Sequence, residues 1–329
     1  GNRATSNVMF TITHSPLGKG ATQVCGKERV VMDWVVLAFL SAVAFTVLTI
    51  VQKKTLERHV DGAVVFNAVA ALPQLVVAAI ILLVTPPDWS SSAVAVMIAT
   101  GMVQATVWFL QGYAINREAD ISRIVPIIDS HPLLVLIIAV AALGEVLTPL
   151  KWIAVLMVTS GAIIASSAQA LPGERVRINK SFFAVVGAGI AMAAVTVLFK
   201  VASADLSVIQ MVGLAFMFSA PIHLIIARAA HAGTKMRMVI TSRNAIGMMG
   251  VTQVVFLIAV FSGVTAVTLG PVSLATAIMG TRLVMLLLWI MLSGLSLRGA
   301  LNRKSEPGKM RSRWASASLV TVGVGMMAF

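Results

Sequence analysis

Long apolar stretches, separated by short polar connections, make up most of the chain. A run of about 20 apolar residues is long enough to cross the hydrocarbon core of a bilayer as a helix, which satisfies its own backbone hydrogen bonds there. The pattern predicts ten such helices, over residues 33–52, 63–84, 93–115, 122–143, 149–168, 181–201, 207–228, 244–267, 272–294 and 314–329. The connections between these stretches are too short to hold a soluble domain.

The composition also indicates a membrane protein. Of 329 residues, 58% are hydrophobic and 11% are charged, an apolar share beyond that of soluble domains. The formal net charge of +13 would suit nucleic acid if the basic residues lined one face, but nearly all of them lie in the connections. That placement is typical of charges flanking membrane helices, so no nucleic-acid partner is predicted. The one cysteine, Cys25, excludes an internal disulfide and a cysteine-based metal site.

An internal repeat emerges when the sequence is shifted by about 150 residues against itself. The matched pairs are 128–144 with 278–294, Thr46-Val47-Leu48 with Thr196-Val197-Leu198, Gly101 with Gly250, Gln104 with Gln253, and Pro73 with Pro221. The chain therefore reads as two copies of a five-helix unit. Because each copy has an odd number of spans, the second copy enters the membrane from the opposite side. In transporters built this way, the substrate site lies near the bilayer midplane where the halves meet.

The predicted fold class is an all-α membrane protein with ten transmembrane helices arranged as two inverted five-helix repeats. A polar N-terminal tail occupies residues 1–31, the first repeat 32–170, a linker 171–180 and the second repeat 181–329. The last apolar stretch is short for a span, so the second repeat is expected to be truncated in its last helix.

The run LGEVLTPLKWIAVLMVTSGAIIAS, residues 143–166, together with the ten spans and the duplication, resembles the EamA branch of the drug/metabolite transporter superfamily. Its most specific element is the Gly-Glu-x-Leu-Thr turn between the fourth and fifth spans. The resemblance implies a cell-membrane carrier that moves small metabolites or drugs, often outward, by alternating access and with no bound cofactor. The second copy departs from the pattern, because a basic insertion, 296–313, stands where the family repeats the Gly-Glu turn.

Glu145 in that turn has two interpretations. Thr148 is predicted as the N-cap of the fifth span and Pro149 as its first helical residue, so the N-terminal end of that helix would favour the nearby carboxylate. A structural turn is the preferred interpretation. Proton coupling or gating at the membrane face is the alternative.

Three ionisable residues fall inside predicted spans: Asp129 and His131 in the fourth, and Arg282 in the ninth. Placing an ionisable side chain inside a span costs free energy, so such a residue is first considered as part of a functional site. The repeat places them at equivalent depths, so the two clusters are expected to face each other across the pseudo-axis. Pro126 leaves the carbonyl of Ser122 without its helical donor, and with Asp129 these residues share a helix face that is predicted to line a cavity.

The candidate substrate-binding or coupling residues are Asp129, Arg282, His131, Gln104, Gln253, Ser122 and Trp108. For Asp129 and Arg282 the alternative is a buried ion pair that only fixes packing, although the guanidinium fork suits a carboxylate or phosphate. His131 is either a neutral hydrogen-bonded histidine or a proton-coupling one. Gln104, Gln253 and Trp108 either line the cavity or pack between helices. His223 and Asn67 are interpreted as interhelical hydrogen-bonding residues, and Lys200 as a snorkelling side chain.

The charge pattern and the family resemblance predict opposite membrane orientations. The lysines and arginines concentrate in the odd-numbered connections, so the positive-inside rule puts both termini outside. The family that the chain resembles usually has both inside. Labelling of Cys25 on intact cells with an impermeant maleimide distinguishes the two.

The leading functional hypothesis is a secondary transporter, with a small-molecule substrate and the lipid bilayer as partners and a homodimer left open. A non-transporting scaffold or receptor is the main alternative, and it predicts a dry interface between the halves. An intramembrane enzyme is disfavoured because the sequence has no HExxH, GxSxG or GxxxxGK[ST] motif. No cofactor and no metal site are predicted.

Overall fold

The computed structural model describes residues 19–117, 131–167, 180–282, 284–286, 289, 315, 318–323 and 326. Side chains are described from Asp33 onward, apart from a few next to the gaps. Within this part of the chain the regular secondary structure is entirely helical. The helices are α1 (Lys19–Arg58), α2 (Ala63–Val84), α3 (Ser92–Arg117), α4 (His131–Leu143), α5 (Pro149–Ser167), α6 (Lys180–Ala202), α7 (Val208–Ala229), α8 (Gly233–Thr241), α9 (Arg243–Leu269) and α10 (Val272–Met279).

Six of these helices contain segments long and apolar enough to cross a membrane. The segments are Asp33–Arg58, Ala63–Val84, Ser92–Ala114, Phe182–Ala202, Val208–Ala229 and Arg243–Leu269. Three shorter apolar helices accompany them, namely His131–Leu143, Pro149–Gly161 and Val272–Leu286. The prediction of an all-α membrane protein is confirmed. The count of ten spans and the inversion of the repeats stay predictions, because much of the fourth, ninth and tenth stretches lies outside the described residues.

The main helix contacts join elements from before residue 168 to elements from after residue 180. Helix α1 packs along α9, α2 along α7, and α3 between α6 and α7. Helix α4 packs against α6 and α10, and α1 also contacts α10. The centre of the bundle is therefore an interface between the two parts of the chain.

Local sequence signals set several helix ends. Gly62 before α2 and Gly144 after α4 adopt positive φ values of 93° and 66°, which glycine adopts without a Cβ penalty. Ser207 and Gln210 form a reciprocal capping box at the start of α7. The Ser242 hydroxyl accepts a hydrogen bond from the Ala245 amide at the start of α9.

Two membrane faces are defined by contacts between connections. The Glu145 face holds the connections 84–92, 143–149, 202–208 and 269–272. The opposite Asp61 face holds the connections 58–63 and 229–243, joined by an exposed ion pair of 2.6 Å between Lys235 Nζ and Asp61 Oδ2. Helix α8, which the sequence analysis treated as part of a connection, lies at the Asp61 face and packs Val239 into a core cluster with Ala245 and Met249.

Candidate functional site

A cavity of about 100 Å³ lies between the two parts of the chain. Side chains from α1, α3, α4, α6, α9 and α10 line it, together with Arg282. Its walls are mainly apolar and include Phe45, Val107, Trp108, Met192, Val195, Phe199, Val260, Val264 and Met279. We call it the main cavity. The main cavity resembles known small-molecule sites, which are apolar hollows with a few polar groups that point inward.

Three of those polar groups are predicted site residues: His131, Arg282 and Gln104. The guanidinium carbon of Arg282 lies 5.5 Å from the centroid of the Phe45 ring, within range of a cation–π attraction. The Thr46 hydroxyl donates to the Arg282 carbonyl oxygen over 3.1 Å. His131 is 8% exposed and opens α4 at the cavity wall. The structure therefore brings together residues from the fourth and ninth predicted spans.

Gln104 is the most informative polar group in the main cavity. The residue is 7% exposed, and its side-chain carbonyl oxygen has no hydrogen-bond partner among the described residues. A buried acceptor left without a donor costs about 1–3 kcal/mol. A cavity-lining residue therefore carries a buried acceptor that the described residues leave without a donor.

A second hollow of about 30 Å³, here called the small cavity, lies nearer the Asp61 face. Its polar lining is Gln52, Asn67, Gln74, His223, Thr252 and Gln253. Trp108 lines both cavities, and its ring meets Phe256 edge to face at 5.5 Å between centroids. On α9, Gln253 precedes Val260 by seven residues, so the cavities are stacked about 10 Å apart along the helix axes.

Glu145 contacts a helix from the other part of the chain. Its carboxylate accepts hydrogen bonds from the Val272 amide at 2.6 Å, from the Ser273 hydroxyl at 2.6 Å and from the Ser273 amide at 3.4 Å. The carboxylate therefore caps the N-terminus of α10, where a negative charge is favoured. The sequence analysis related Glu145 to the N-terminus of the fifth span. The contacts are instead with the start of the ninth, a pairing that only tertiary structure brings about.

Lys200 binds the other side of the same turn. Its Nζ donates to the carbonyl oxygens of Val267, Thr268 and Gly270 at 3.0–3.1 Å, at the C-terminal end of α9. A cation is favoured at a helix C-terminus, so the interpretation of Lys200 as a snorkelling side chain missed a specific set of partners. Lys200 and Glu145 also attract each other electrostatically. We call this arrangement the turn clamp.

The turn clamp lies at one end of the main cavity. Val267 and Thr276, on the two sides of the turn, both line the cavity. A Cβ on Gly270 would lie 2.6 Å from the Trp34 ring, so α1 also packs closely on the turn. Side chains from four elements thus pack around the turn at the Glu145 end of the cavity. They come from the connection 143–149, α1, α6 and α10.

The remaining predicted residues are distributed as follows. Gln253 lines the small cavity, where the Gln74 amide donates to its side-chain oxygen over 3.4 Å. Helix α5 begins at Pro149, and the Thr148 carbonyl accepts from the amides of Lys151 and Trp152. Asp129 and Ser122, and with them Pro126, lie outside the described residues.

Sequence reasoning missed Lys200, Phe45 and Gln74 as contributors to these cavities and to the turn. No local motif marks them. The sequence did contain one signal for Gln74, which directly follows Pro73. A proline inside a membrane helix leaves a backbone carbonyl without its helical donor, and neighbouring polar groups often bond to that carbonyl.

The described residues contain no group of three or more His, Cys, Asp or Glu side chains arranged to hold a metal ion. What the geometry offers is an arginine, a histidine and a carboxamide in an apolar hollow inside a membrane bundle. These groups have the hydrogen-bonding and charge properties needed to orient a small molecule.

Comparisons with known proteins relate part of the chain to a family. Comparison with curated proteins gives no match. A solved structure described as "Crystal structure of protein" is similar over 89% of this chain and 96% of its own, with a TM-score of 0.63 and 13% identity, which shows the fold alone. Residues 32–167 match the EamA-like transporter family, so the resemblance seen in the sequence is confirmed over that segment. The chain is therefore a multi-pass integral membrane protein whose segment 32–167 matches the EamA-like transporter family, consistent with the drug/metabolite transporter superfamily.

Proposed function

We propose that this protein is a secondary transporter that moves a small molecule across the cell membrane by alternating access, in the outward direction. The family matched by residues 32–167 consists of transporters, not enzymes, which supports a carrier at the level of the family. The observation that carries the proposal is the main cavity, which lies between the two parts of the chain and is lined by Gln104, whose Oε1 has no partner in the described part of the chain.

The proposal includes two inverted five-helix repeats. A shift of about 150 residues relates α1 to α6, α2 to α7, α3 to α9 and α4 to α10. If each helix is replaced by its repeat partner, the α1–α9 contact corresponds to the α6–α3 contact, and the α1–α10 contact corresponds to the α6–α4 contact. The α2–α7 contact corresponds to the same pair. All of these contacts occur in the structure. A pairing pattern that maps onto itself supports a pseudo-two-fold axis through the main cavity, the arrangement on which rocking of one repeat against the other depends.

The lining of the main cavity indicates the chemistry of the substrate. Arg282 would bind a carboxylate, phosphate or other acceptor group, Gln104 Oε1 requires a hydrogen-bond donor, and the walls around Trp108 and Phe199 require an apolar body. An organic anion, an amino acid or a nucleoside-like metabolite with an apolar portion meets these requirements. Growth of an overexpressing strain across toxic metabolite and drug analogues would identify the compound.

Uptake into reconstituted vesicles, with the compound identified in that way, tests the proposal. Gln104→Leu removes the buried acceptor, so we expect unchanged or raised thermal stability together with lost uptake. Arg282→Ala and Asp129→Asn are expected to abolish uptake in folded protein. Arg237→Ala, which removes an exposed arginine of α8, is the matched control and is expected to transport normally.

The outcomes separate transport from a scaffold role. Wild-type uptake in both Arg282→Ala and Gln104→Leu would overturn the site assignment. The absence of any flux from vesicles containing folded wild-type protein, for every compound to which overexpression gives resistance, would favour a non-transporting membrane protein.

A further inference from the structure

The small cavity contains a histidine that the transport proposal does not use. His223, on α7, is 5% exposed and lines the hollow together with carboxamide and hydroxyl groups. Among the described residues it forms no hydrogen bond or ion pair, although buried polar side chains are nearly always paired. A buried and unpartnered imidazole that faces a water-sized hollow is in a position to be paired by water.

The small cavity lies closer to one side of the membrane than the main cavity does. His223 lies six residues before the end of α7, and Gln52 lies six residues before the end of α1. At 1.5 Å per helical residue, both are about 9 Å from the Asp61 face.

Charged side chains do not occupy the small cavity among the residues whose side chains are described. Helix α7 packs against α2, α3 and α9, and α1 completes the lining. Helix α2 contains no titratable residue. From Asp33 onward, the titratable or charged residues of the other elements lie toward the membrane faces, and they are Asp33, Lys53, Lys54, Glu57 and Arg58 on α1, Tyr113 and Arg117 on α3, Arg228 on α7, and Arg243 on α9.

The carboxamides around His223 suit both charge states of an imidazole. Gln52, Asn67, Gln74 and Gln253 each have one acceptor oxygen and one donor NH₂ group. The Gln74 amide donates to Gln253 over 3.4 Å, a long contact, and the Asn67 amide donates to the Trp108 carbonyl over 3.2 Å. An amide that rotates out of such a contact presents a donor to the unprotonated nitrogen of neutral imidazole, or an acceptor to the second N–H of imidazolium. A fixed carboxylate would favour only the charged form, so this lining permits reversible protonation.

We propose that His223 is the proton-binding site of the transport cycle, reached from the Asp61 face through the small cavity. The proton transfers from hydrated solvent to the unprotonated ring nitrogen, giving imidazolium, and returns to water when the site opens again. Trp108 forms a wall of both cavities, so the charge on His223 is felt at the substrate site. The proposal deepens the assigned transport function and rests on it.

The first test measures protonation without any substrate. In a variant that retains Trp108 as its only tryptophan, imidazolium at His223 is expected to quench Trp108 fluorescence in a single transition between about pH 4 and pH 8. His223→Asn should abolish the transition. Because His131 lines the main cavity on the other side of Trp108, His131→Asn is the matched control and should leave the transition in place. A transition that survives in His223→Asn, or that disappears in His131→Asn, overturns the proposal.

The second test covers the case in which removing five tryptophans prevents folding. The chain has five histidines, so histidine-selective isotope labelling of the otherwise wild-type protein gives few ring signals, and the one missing from His223→Asn belongs to His223. That signal should titrate, and a ring that keeps one charge state across the range overturns the proposal. Neither test requires transport, so a titrating His223 in a protein without substrate flux would refute the transport function and leave the proton site standing.

Discussion

The turn clamp provides a quantitative prediction about how the main cavity is closed. If the transporter opens at the Glu145 face, the turn between α9 and α10 must move away from Glu145 and Lys200. The informative perturbation is Glu145→Gln, which keeps the length of the side chain and one acceptor oxygen but removes its charge. Val272 and Ser273 would then lose a charged acceptor at the N-terminus of α10.

The expected size of the effect follows from the three contacts of the carboxylate. Hydrogen bonds to charged groups are worth about 1.5–3 kcal/mol. Glu145 is only half-buried, and solvent screens exposed charges, so the lower end applies. A loss of about 1.4 kcal/mol corresponds to about a tenfold change in an equilibrium. The substitution should therefore raise the population open at the Glu145 face by about tenfold.

Thiol labelling measures that population. Thr276 lies one helical turn after Val272, is 1% exposed and lines the main cavity. In a Cys25→Ser background, Thr276→Cys places the only thiol behind the turn. An impermeant maleimide applied at the Glu145 face, in intact cells or inverted vesicles as orientation requires, should modify it about tenfold faster when Glu145→Gln is added.

A charge at the same face that is not part of the clamp is the control. Lys151, near the start of α5, forms no side-chain hydrogen bond among the described residues, so Lys151→Met should leave the labelling rate unchanged. An unchanged rate in Glu145→Gln would show that the carboxylate does not hold the cavity closed. An equal rise in Lys151→Met would assign the effect to surface charge in general.

Two further predictions concern stability. A Cβ on Gly101 would lie 2.6 Å from Phe218 Cβ, so Gly101→Ala should lower the melting temperature of the purified protein, with a cost of about 1–3 kcal/mol. Gly250 is its repeat partner but has no such neighbour, and an unaltered or raised melting temperature is expected for Gly250→Ala. Asp61→Asn breaks an exposed ion pair with Lys235 and should cost less than about 1 kcal/mol in thermal unfolding. A large loss would mean that this pair orders the Asp61 face.

The hydrophobic pattern predicted the helices well because the bilayer imposes a length and a composition on each span. The predicted stretch 63–84 coincides with α2, and 181–201 lies within α6. The hydrophobic pattern did not predict helical segments that are too polar or too short to cross the bilayer. Helix α1 extends beyond residue 52 through a charged turn that ends at Arg58, and α8 was not predicted because nine amphipathic residues resemble a connection.

The site was predictable only in part. His131 and Arg282 were predicted because an ionisable side chain inside a span costs free energy that a structural or functional role must offset. Both line the main cavity. Duplication identified Gln104 and Gln253, but the two lie in different cavities. Repeat positions are equivalent in the fold, whereas the local packing around them differs between the copies, and the sequence pattern does not record that packing.

Hydrogen-bond satisfaction separates polar residues that hold the bundle from polar residues that act in it. Glu145 and Lys200 are both charged, and each has three partners at the end of a helix. Gln104 Oε1 and His223 are more deeply buried, yet they have no partner among the described residues. Folding alone would select against such unmet groups, because each costs free energy in a membrane interior that offers no bulk water. Their presence beside two stacked hollows is explained if a substrate donates to Gln104 Oε1 during transport, and if His223 binds and releases a proton while water or carboxamide groups in the small cavity pair with its ring nitrogens.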